Sequence, residues 1–290
     1  MSLDSAVVHG KTVRLSKLVR RITCNNPGVF TGPGTNTYLI GSPASGHLIV
    51  LDPGPDQDSH IRAICKAAPA GAIKTIVVTH THPDHAPGVK LLKDRTSATV
   101  IGFDSRDSLT TDIDAGDGYV VKHHGLTLRA VHTPGHASNH LCWYLAEENM
   151  LFSGDHVMAG STVVISPPDG DMQQYLDALE KVRRLRVDAI APAHGPVLRD
   201  PDQILSWYVS HRLERERLVF AALARRGKAT VAELVKDVYT DVPKDRHPIA
   251  VFSLWAHLRK LRNDGFAATR RPDDLGAMWH VKWGTLRRSK

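Results

Sequence analysis

The stretch Thr79-His80-Thr81-His82-Pro83-Asp84-His85 places four metal-binding side chains within six residues. It directly follows the apolar run Ile76–Val78, which predicts a buried β-strand. Because side chains alternate along an extended chain, the first two histidines are expected to point the same way. The aspartate and the last histidine come after a proline turn, and we expect them to face a second ion beside the first.

Three further candidates each follow another strand-like run. They are His136 in Thr133-Pro134-Gly135-His136, Asp155 in Ser153-Gly154-Asp155, and His194 in Ala193-His194-Gly195. Strand ends of a layered sheet scaffold converge on one edge, so the seven side chains are expected to meet. Seven nitrogen and oxygen ligands suit two Zn²⁺ ions that share a water, although Mn²⁺ or Fe²⁺ would accept the same ligands.

The composition is ordinary for a globular chain of 290 residues, with 42% hydrophobic and 23% charged residues. The three cysteines, Cys24, Cys65 and Cys142, are far apart and argue against a disulfide framework or thiolate-bound zinc. No apolar run approaches the roughly 18 residues of a membrane span. The first residues lack the pattern of a secretory signal. We therefore expect a cytoplasmic protein that does not enter a membrane.

The net charge of +7 is distributed unevenly along the chain. Residues 211–290 hold 18 of the 37 basic residues and 9 of the 30 acidic ones, a local balance of +9. Residues 1–210 carry 19 basic and 21 acidic residues, a balance of −2. This excess could bias the C-terminal quarter toward polyanions.

Short β-rich runs alternate with helical ones over the first two hundred residues. The predicted strands are Leu18–Thr23, Thr37–Ile40, His47–Leu51, Thr75–Thr79, Ala98–Gly102, Leu126–His132, His140–Leu145, Met150–Ser153 and Asp188–Pro192. The predicted helices are Ser59–Ala68, a shorter one that follows His85 and runs towards Lys93, and Met172–Leu185. This alternation favours an α+β domain over residues 1–210, in which helices flank two packed sheets.

Residues 211–290 have a different pattern, dominated by helix. Helices are predicted at Gln203–Arg226, Val231–Tyr239 and Ile249–Asn263, and short strands at Phe266–Thr269 and Met278–Lys282. Helices followed by a two-stranded hairpin are typical of a small winged-helix domain.

The four histidine and aspartate motifs together resemble those of the metallo-β-lactamase superfamily, closest to its glyoxalase II-like and ribonuclease Z-like hydrolases. A narrower resemblance is to the lactamase-beta-like protein 2 family, which includes single-strand-specific endoribonucleases. It rests on the same motifs, on Asn26-Pro27-Gly28 with Gly34-Thr35-Asn36-Thr37, and on Leu258-Arg259-Lys260-Leu261 in the C-terminal part.

This resemblance implies a four-layer αββα sandwich and a binuclear zinc-dependent hydrolase. In that family one ion would be held by His80, His82 and His136, the other by Asp84, His85 and His194, and Asp155 would bridge them. A hydroxide shared by the ions would attack the substrate, and Asp84 is predicted to be catalytic as the group that aims it.

Other site residues are predicted less directly. His140 is a candidate proton donor, and Asn36 and His156 are candidates for substrate contact. The alternatives are that His140 and His156 support the ligands or the fold, and that the Asn36 amide pins a turn in Gly34–Thr37.

The expected substrate is a phosphodiester in single-stranded RNA, and its cleavage would make the protein endoribonuclease-like. The alternatives are a small ester, thioester or lactone, and a non-catalytic nucleic-acid-binding protein. Four side chains of Ile249–Asn263 could meet phosphates: His257, Arg259, Lys260 and Arg262. Arg270, Arg271, Arg287, Arg288 and Lys290 add to them. The C-terminal domain could instead wall the active site or mediate a homodimer.

Overall fold

The structure, a computed structural model, describes residues 7–123 and 125–282. By backbone packing the chain divides into two units. The first takes in the described residues up to Thr133, together with Asn139–Val163 and Arg183–Asp202. The second takes in Pro134–Ser138, Val164–Val182 and the described residues from Gln203 onward.

A mixed sheet of seven strands forms one half of the first unit. Its strands are β1 (Thr12–Arg14), β2 (Val19–Thr23), β3 (Asn36–Ile40), β4 (Leu48–Leu51), β5 (Ile73–Val77), β6 (Thr99–Gly102) and β7 (Ile113–Asp114). They lie side by side in the sheet in the same order as in the sequence. β1 to β4 pair antiparallel, and β4 to β7 pair parallel. The central strands are apolar on both faces because both faces are covered.

Two helices cover one face of this sheet, α1 (Asp58–Lys66) and α2 (Gly88–Thr96). Their buried side chains, among them Ile61, Ile64 and Leu92, share one cluster with Leu39 and Val50 of the sheet. The helices thereby hold rigid the strands whose ends carry the metal-binding motif.

A five-stranded sheet packs against the opposite face. It contains β8 (Val120–His123), β9 (Leu126–His132), β10 (Leu141–Leu145), β11 (Met150–Gly154) and β12 (Ala189–Pro192), in the order β12-β11-β10-β9-β8. Tyr38 of the first sheet and Phe152 of the second lie 5.0 Å apart between ring centroids. The buried Trp143 indole donates a hydrogen bond to the Val78 carbonyl, 3.1 Å away. A single core therefore joins the two sheets face to face.

The second unit is mainly helical. Its elements are α3 (Met172–Arg183), α4 (Pro201–Arg226), β13 (Lys228–Thr230), α5 (Val231–Val238), α6 (His247–Asn263), β14 (Ala267–Ala268) and β15 (Met278–Val281). Leu234 of α5, Leu258 of α6 and Trp279 of β15 meet in one buried cluster. Thr230 and Glu233 begin α5 with a reciprocal capping box. Within the described residues, no helix has both the length and the apolar character needed to span a bilayer.

The observed elements agree with the predicted strands and helices to within two residues at each end. The shorter helix predicted after His85 is α2. The predicted C-terminal hairpin is present as the antiparallel pair of β14 and β15, but a third strand of this sheet, β13, was not predicted. β13 adds to it through β15, in the order β13-β15-β14. β13 has only three residues after a glycine, too few to show an alternating pattern. The domain boundary at residue 210 falls inside α4 and stays a prediction.

Candidate metal centre

The metal-binding stretch Thr79–His85 follows β5. The buried carboxylate of Asp52, directly after β4, holds this stretch in place through hydrogen bonds. Asp52 accepts hydrogen bonds from the Thr79 amide and the Thr79 hydroxyl, each at 2.7 Å. It also accepts one from Nδ1 of His85 at 3.0 Å. Because Nδ1 of His85 is the donor, its Nε2 carries the lone pair that a metal ion needs.

Asp52 also acts on His80 through Thr79. The Thr79 hydroxyl donates to Asp52, so its oxygen is free to accept from Nδ1 of His80, 3.0 Å away. This arrangement again leaves Nε2 of the histidine as the available lone pair. One carboxylate therefore sets the ring orientation of two candidate ligands. We did not predict this role of Asp52 or Thr79.

The structure brings the seven predicted donors into two groups that share Asp155. In each group the donor atoms lie within 4.8 Å of one another. The groups are His80, His82, His136 and Asp155, and Asp84, His85, Asp155 and His194. Together they contain no thiolate, and mixed imidazole and carboxylate donors are typical of sites for Zn²⁺ and similar divalent ions.

Close contacts within the groups support this interpretation. Nε2 of His80 and Nδ1 of His82 are 2.9 Å apart. Nε2 of His194 lies 3.2 Å from a carboxylate oxygen of Asp84 and 3.2 Å from one of Asp155. Among the described residues, the buried Nε2 atoms of His85 and His194 make no well-aligned hydrogen bond, although carboxylate oxygens of Asp84 and Asp155 lie 3.2 to 3.5 Å from them. A buried nitrogen without a hydrogen bond is costly unless a metal ion takes that place, so the residues fit a divalent cation.

Charge within the site also favours a cation. Burial alone would raise the pKa of Asp84, but His85 and His194 hold it well below its usual range. The pKa of Asp155 is likewise lowered, because His194 and His85 outweigh burial. Burial lowers the pKa of His80. Burial would also lower the pKa of His194, but Asp155 and Asp84 raise it to about 9. Ionised carboxylates therefore attract positive charge to this point.

Asn36 lies beside the loop that carries His194. It is buried, and its amide nitrogen donates to the carbonyls of Pro192 and Gly195 at 3.0 and 2.9 Å. Its side-chain oxygen accepts from the Thr23 hydroxyl at 2.8 Å. The Asn36 amide therefore holds the loop that carries His194, and not the turn in Gly34–Thr37. A substrate contact by Asn36 stays a prediction.

His140 lies directly behind Asp155. Its Nε2 accepts a hydrogen bond from the Asp155 amide at 3.1 Å, and its Nδ1 is 2.9 Å from the Thr133 hydroxyl. Gly154 permits this approach, since a Cβ there would lie 2.7 Å from Nε2 of His140. A nitrogen that accepts from an amide has no proton to give, so the geometry favours a positioning role. Proton donation by His140 stays a prediction.

His156 is fully buried, and its ring centroid lies 6.2 Å from that of His140. The predicted substrate contact by His156 likewise stays a prediction. Arg21 of β2 is also buried. It donates to the Gly195 carbonyl at 3.4 Å. Arg21 directly follows another arginine, Arg20, so the sequence gave no signal that its side chain is buried.

Two family models match the chain. The Metallo-beta-lactamase superfamily matches residues 30–194, which include all seven predicted donors, and the Beta-lactamase associated winged helix domain matches residues 230–274. The chain therefore belongs to the metallo-beta-lactamase superfamily, and its C-terminal part is a winged helix domain. Both the predicted fold and the predicted class of enzyme, a metal-dependent hydrolase, are confirmed.

Curated relatives match most of the chain. A "Beta-lactamase-like protein 2 homolog" of Caenorhabditis elegans is 33% identical over 267 residues, 87% of this chain and 86% of that protein. An "Atrochrysone carboxyl ACP thioesterase" of Aspergillus chevalieri is 34% identical over 241 residues, 80% of this chain and 76% of that protein. The first agrees with the predicted narrower family.

Solved structures share the fold over nearly the whole chain. A beta-lactamase domain protein from Burkholderia ambifaria superposes with a TM-score of 0.79 at 20% identity, covering 96% of each chain. A metallo-beta-lactamase family protein from Thermus thermophilus superposes with a TM-score of 0.77 at 18% identity. The superposition covers 93% of this chain and 100% of the Thermus chain.

Proposed function

We propose that the protein hydrolyses an ester or thioester of a carboxylic acid with two zinc-type ions. His80, His82, His136 and Asp155 would hold one ion, and Asp84, His85, His194 and Asp155 the other. When bound, such ions polarise a substrate carbonyl and lower the pKa of a water molecule to near neutrality.

The protein's own groups would orient this chemistry. Asp84 is ionised, and one of its carboxylate oxygens lies 3.2 Å from His194 and 3.3 Å from His85. It is also the most exposed of these three side chains, at 23% against 3% and 0%. A partly exposed, ionised carboxylate can accept a proton from the attacking water and aim its oxygen at the carbonyl.

Ion pairing in the C-terminal part is the observation that favours an acyl substrate over RNA. Several of the cations in residues 211–282 are paired with carboxylates. The pairs are Arg215–Asp241, Arg217–Glu214, Arg226–Asp237, Arg259–Asp273, Lys260–Glu216 and Arg271–Asp274. His257, one of the predicted phosphate contacts, is fully buried. Cations already neutralised by carboxylates contribute little to binding a phosphate backbone. The relative named as an ACP thioesterase supports the same substrate class.

Cleavage of single-stranded RNA is the second candidate. The exposed Arg270 lines a cavity of about 460 Å³ with His280 and with Arg271, which pairs with Asp274, next to β14 and β15. Such a cationic surface could meet a phosphate. Arg287, Arg288 and Lys290, also predicted to contact phosphates, lie outside the described residues.

A substrate panel separates the two candidates. Zinc-loaded protein would be given an S-acyl-N-acetylcysteamine thioester, nitrophenyl acetate, bis(nitrophenyl) phosphate and labelled single-stranded RNA at low salt. We expect thioester or ester turnover that a chelator abolishes and added Zn²⁺ restores. Metal-dependent cleavage of RNA without acyl hydrolysis would favour the second candidate, and no cleavage of any substrate would contradict both.

A further inference from the structure

The loop that carries His136 belongs to the second unit, and another segment of the same unit holds it in place. Nδ1 of His136 donates a hydrogen bond of 2.7 Å to the carbonyl of Val164. Ser138 donates its amide and hydroxyl protons to the carboxylate of Asp169 at 3.0 and 2.5 Å. The hydrogen bond to Val164 fixes the His136 tautomer and directs the Nε2 lone pair away from Val164.

The same loop is fixed from a second side. The amide of Asp171 donates to the Gly135 carbonyl at 2.8 Å. Gly135 packs so closely on Tyr175 that a Cβ would lie 2.4 Å from the Tyr175 Cα. The guanidinium carbon of Arg212, a buried residue of α4, lies 5.2 Å from the centroid of the Tyr175 ring. Both ends of residues 164–175 therefore brace the His136 loop.

Helix α6 of the winged helix domain holds this segment at one point. The hydroxyl oxygen of Ser253 accepts a hydrogen bond from the Ile165 amide at 3.2 Å. Ser253 is buried and Ile165 is fully buried. The Ile165 amide belongs to the same peptide group as the Val164 carbonyl, and a peptide group is a rigid plane. Ser253 and His136 therefore bind opposite ends of one planar unit.

We infer that Ser253 of the winged helix domain is a positioning residue that sets His136 for metal binding through the Val164–Ile165 peptide group. A hydrogen bond accepted from the amide also polarises the carbonyl at the other end of the group, which strengthens its bond to His136. The domain thus has a structural role at the metal centre that needs no nucleic acid. This inference depends on His136 being a ligand but not on the class of substrate.

Zinc binding by the full chain tests the inference without any substrate. Competition with a chromophoric chelator would give the dissociation constants of Ser253→Ala, Ser253→Thr and the unaltered protein. In Ser253→Ala we expect one of two constants to rise about tenfold or more, as is usual when an outer partner of a ligand is lost. Ser253→Thr keeps the hydroxyl and should bind as the unaltered protein does. Ser210→Ala, at an exposed position of α4, is the matched control.

Proton-detected NMR supplies a second readout in zinc-free protein. In the unaltered chain the Ile165 amide should be protected from exchange, and His136 should show a single Nδ1–H tautomer. In Ser253→Ala we expect faster exchange and a mixture of tautomers, while alanine, a better helix former, leaves α6 intact. Unchanged zinc affinity in Ser253→Ala would overturn the inference, and so would equal losses in the alanine and threonine variants. An unprotected Ile165 amide in the unaltered protein would do so even if Ser253→Ala failed to fold.

Discussion

Two regions of the molecule hold candidate ligands in different ways. On the β4 side, the carboxylate of Asp52 orients His85 directly and His80 through Thr79, over distances of 2.7 to 3.0 Å. In the second unit, a backbone carbonyl orients His136, and a serine of α6 holds the peptide group that contains it. Asp52 thus orients one histidine in each donor group. The Val164 carbonyl orients a histidine of one donor group only. Substitutions in the first region should therefore weaken the binding of both ions, and substitutions in the second should weaken the binding of one.

Replacing the partly exposed carboxylate of Asp84 should give the largest effect. Asp84→Asn keeps the size of the side chain but removes its charge and its ability to accept a proton. We expect hydrolysis to fall by a factor on the order of 10³. Steady-state kinetics on the best substrate of the panel would measure this. Asp94→Asn, at an exposed carboxylate of α2 paired with Lys90, should retain full activity. Comparable activity in both variants would remove Asp84 from the mechanism.

Asp52→Asn should weaken both ions together, in contrast to Ser253→Ala. An amide can accept at one atom only, so it cannot receive Thr79 and His85 as the carboxylate does. We expect both zinc dissociation constants to rise about 10–100-fold, and the free energy of unfolding of the zinc-free protein to fall by about 2 kcal/mol.

Chelator competition and urea denaturation would measure these quantities. The matched control is Asp112→Asn, since Asp112 accepts from the Val100 amide of β6 in the same sheet and from the Lys93 side chain of α2. If Asp52→Asn affected only one ion, the proposed difference between the two regions would be wrong.

The second unit should also contribute its own dependence on pH. Burial lowers the pKa of His257 from 6.5 to about 4, although the Glu216 carboxylate at 3.5 Å raises it in part. Between these values the unfolded chain takes up a proton that the folded protein excludes. The contribution of neutral His257 to the free energy of unfolding is fully present above pH 6.5. It is lost as the pH falls through 4, by about 3 kcal/mol at most.

Urea denaturation between pH 4.5 and 8 checks this point. Stability of the unaltered protein should fall more steeply toward acid than that of His257→Gln, in which the titrating group is gone. His280→Gln, at an exposed position of β15, should follow the unaltered protein. Parallel curves for the unaltered protein and His257→Gln would show that the burial of His257 costs nothing.

The smallest expected effect concerns the capping box of α5. Thr230 accepts from the Glu233 amide and begins the helix. Thr230→Ala should lower the free energy of unfolding by about 1 kcal/mol, while both zinc constants stay unchanged. Thr230→Ser, which keeps the cap, is the control. A shift in zinc affinity would mean that the metal centre senses general stability of the winged helix domain rather than the Ser253 contact.

Much of the architecture could be predicted because the sequence patterns are local. The strand before the metal-binding stretch, the Pro–Gly and Gly turns before His136 and Asp155, and the helical C-terminal part all show in short windows. β1, β7 and β8 were missed, since strands of two to four partly exposed residues lack an apolar pattern.

The supporting contacts could not be predicted for a different reason. Asp52 acts on residues 27 to 33 positions away, and Ser253 lies 88 positions from Ile165. Periodicity indicates which side of an element is buried, but it does not indicate the partner that the buried group meets. Asp52 follows an apolar strand as Asp155 does, and this shared position was the one available signal.

Metal analysis of the purified full chain tests the central claim most directly. After exposure to Zn²⁺ and removal of the excess, elemental analysis should find two ions per chain, since the two donor groups share Asp155 but are otherwise distinct. Protein that is folded yet holds no zinc under these conditions would contradict the account.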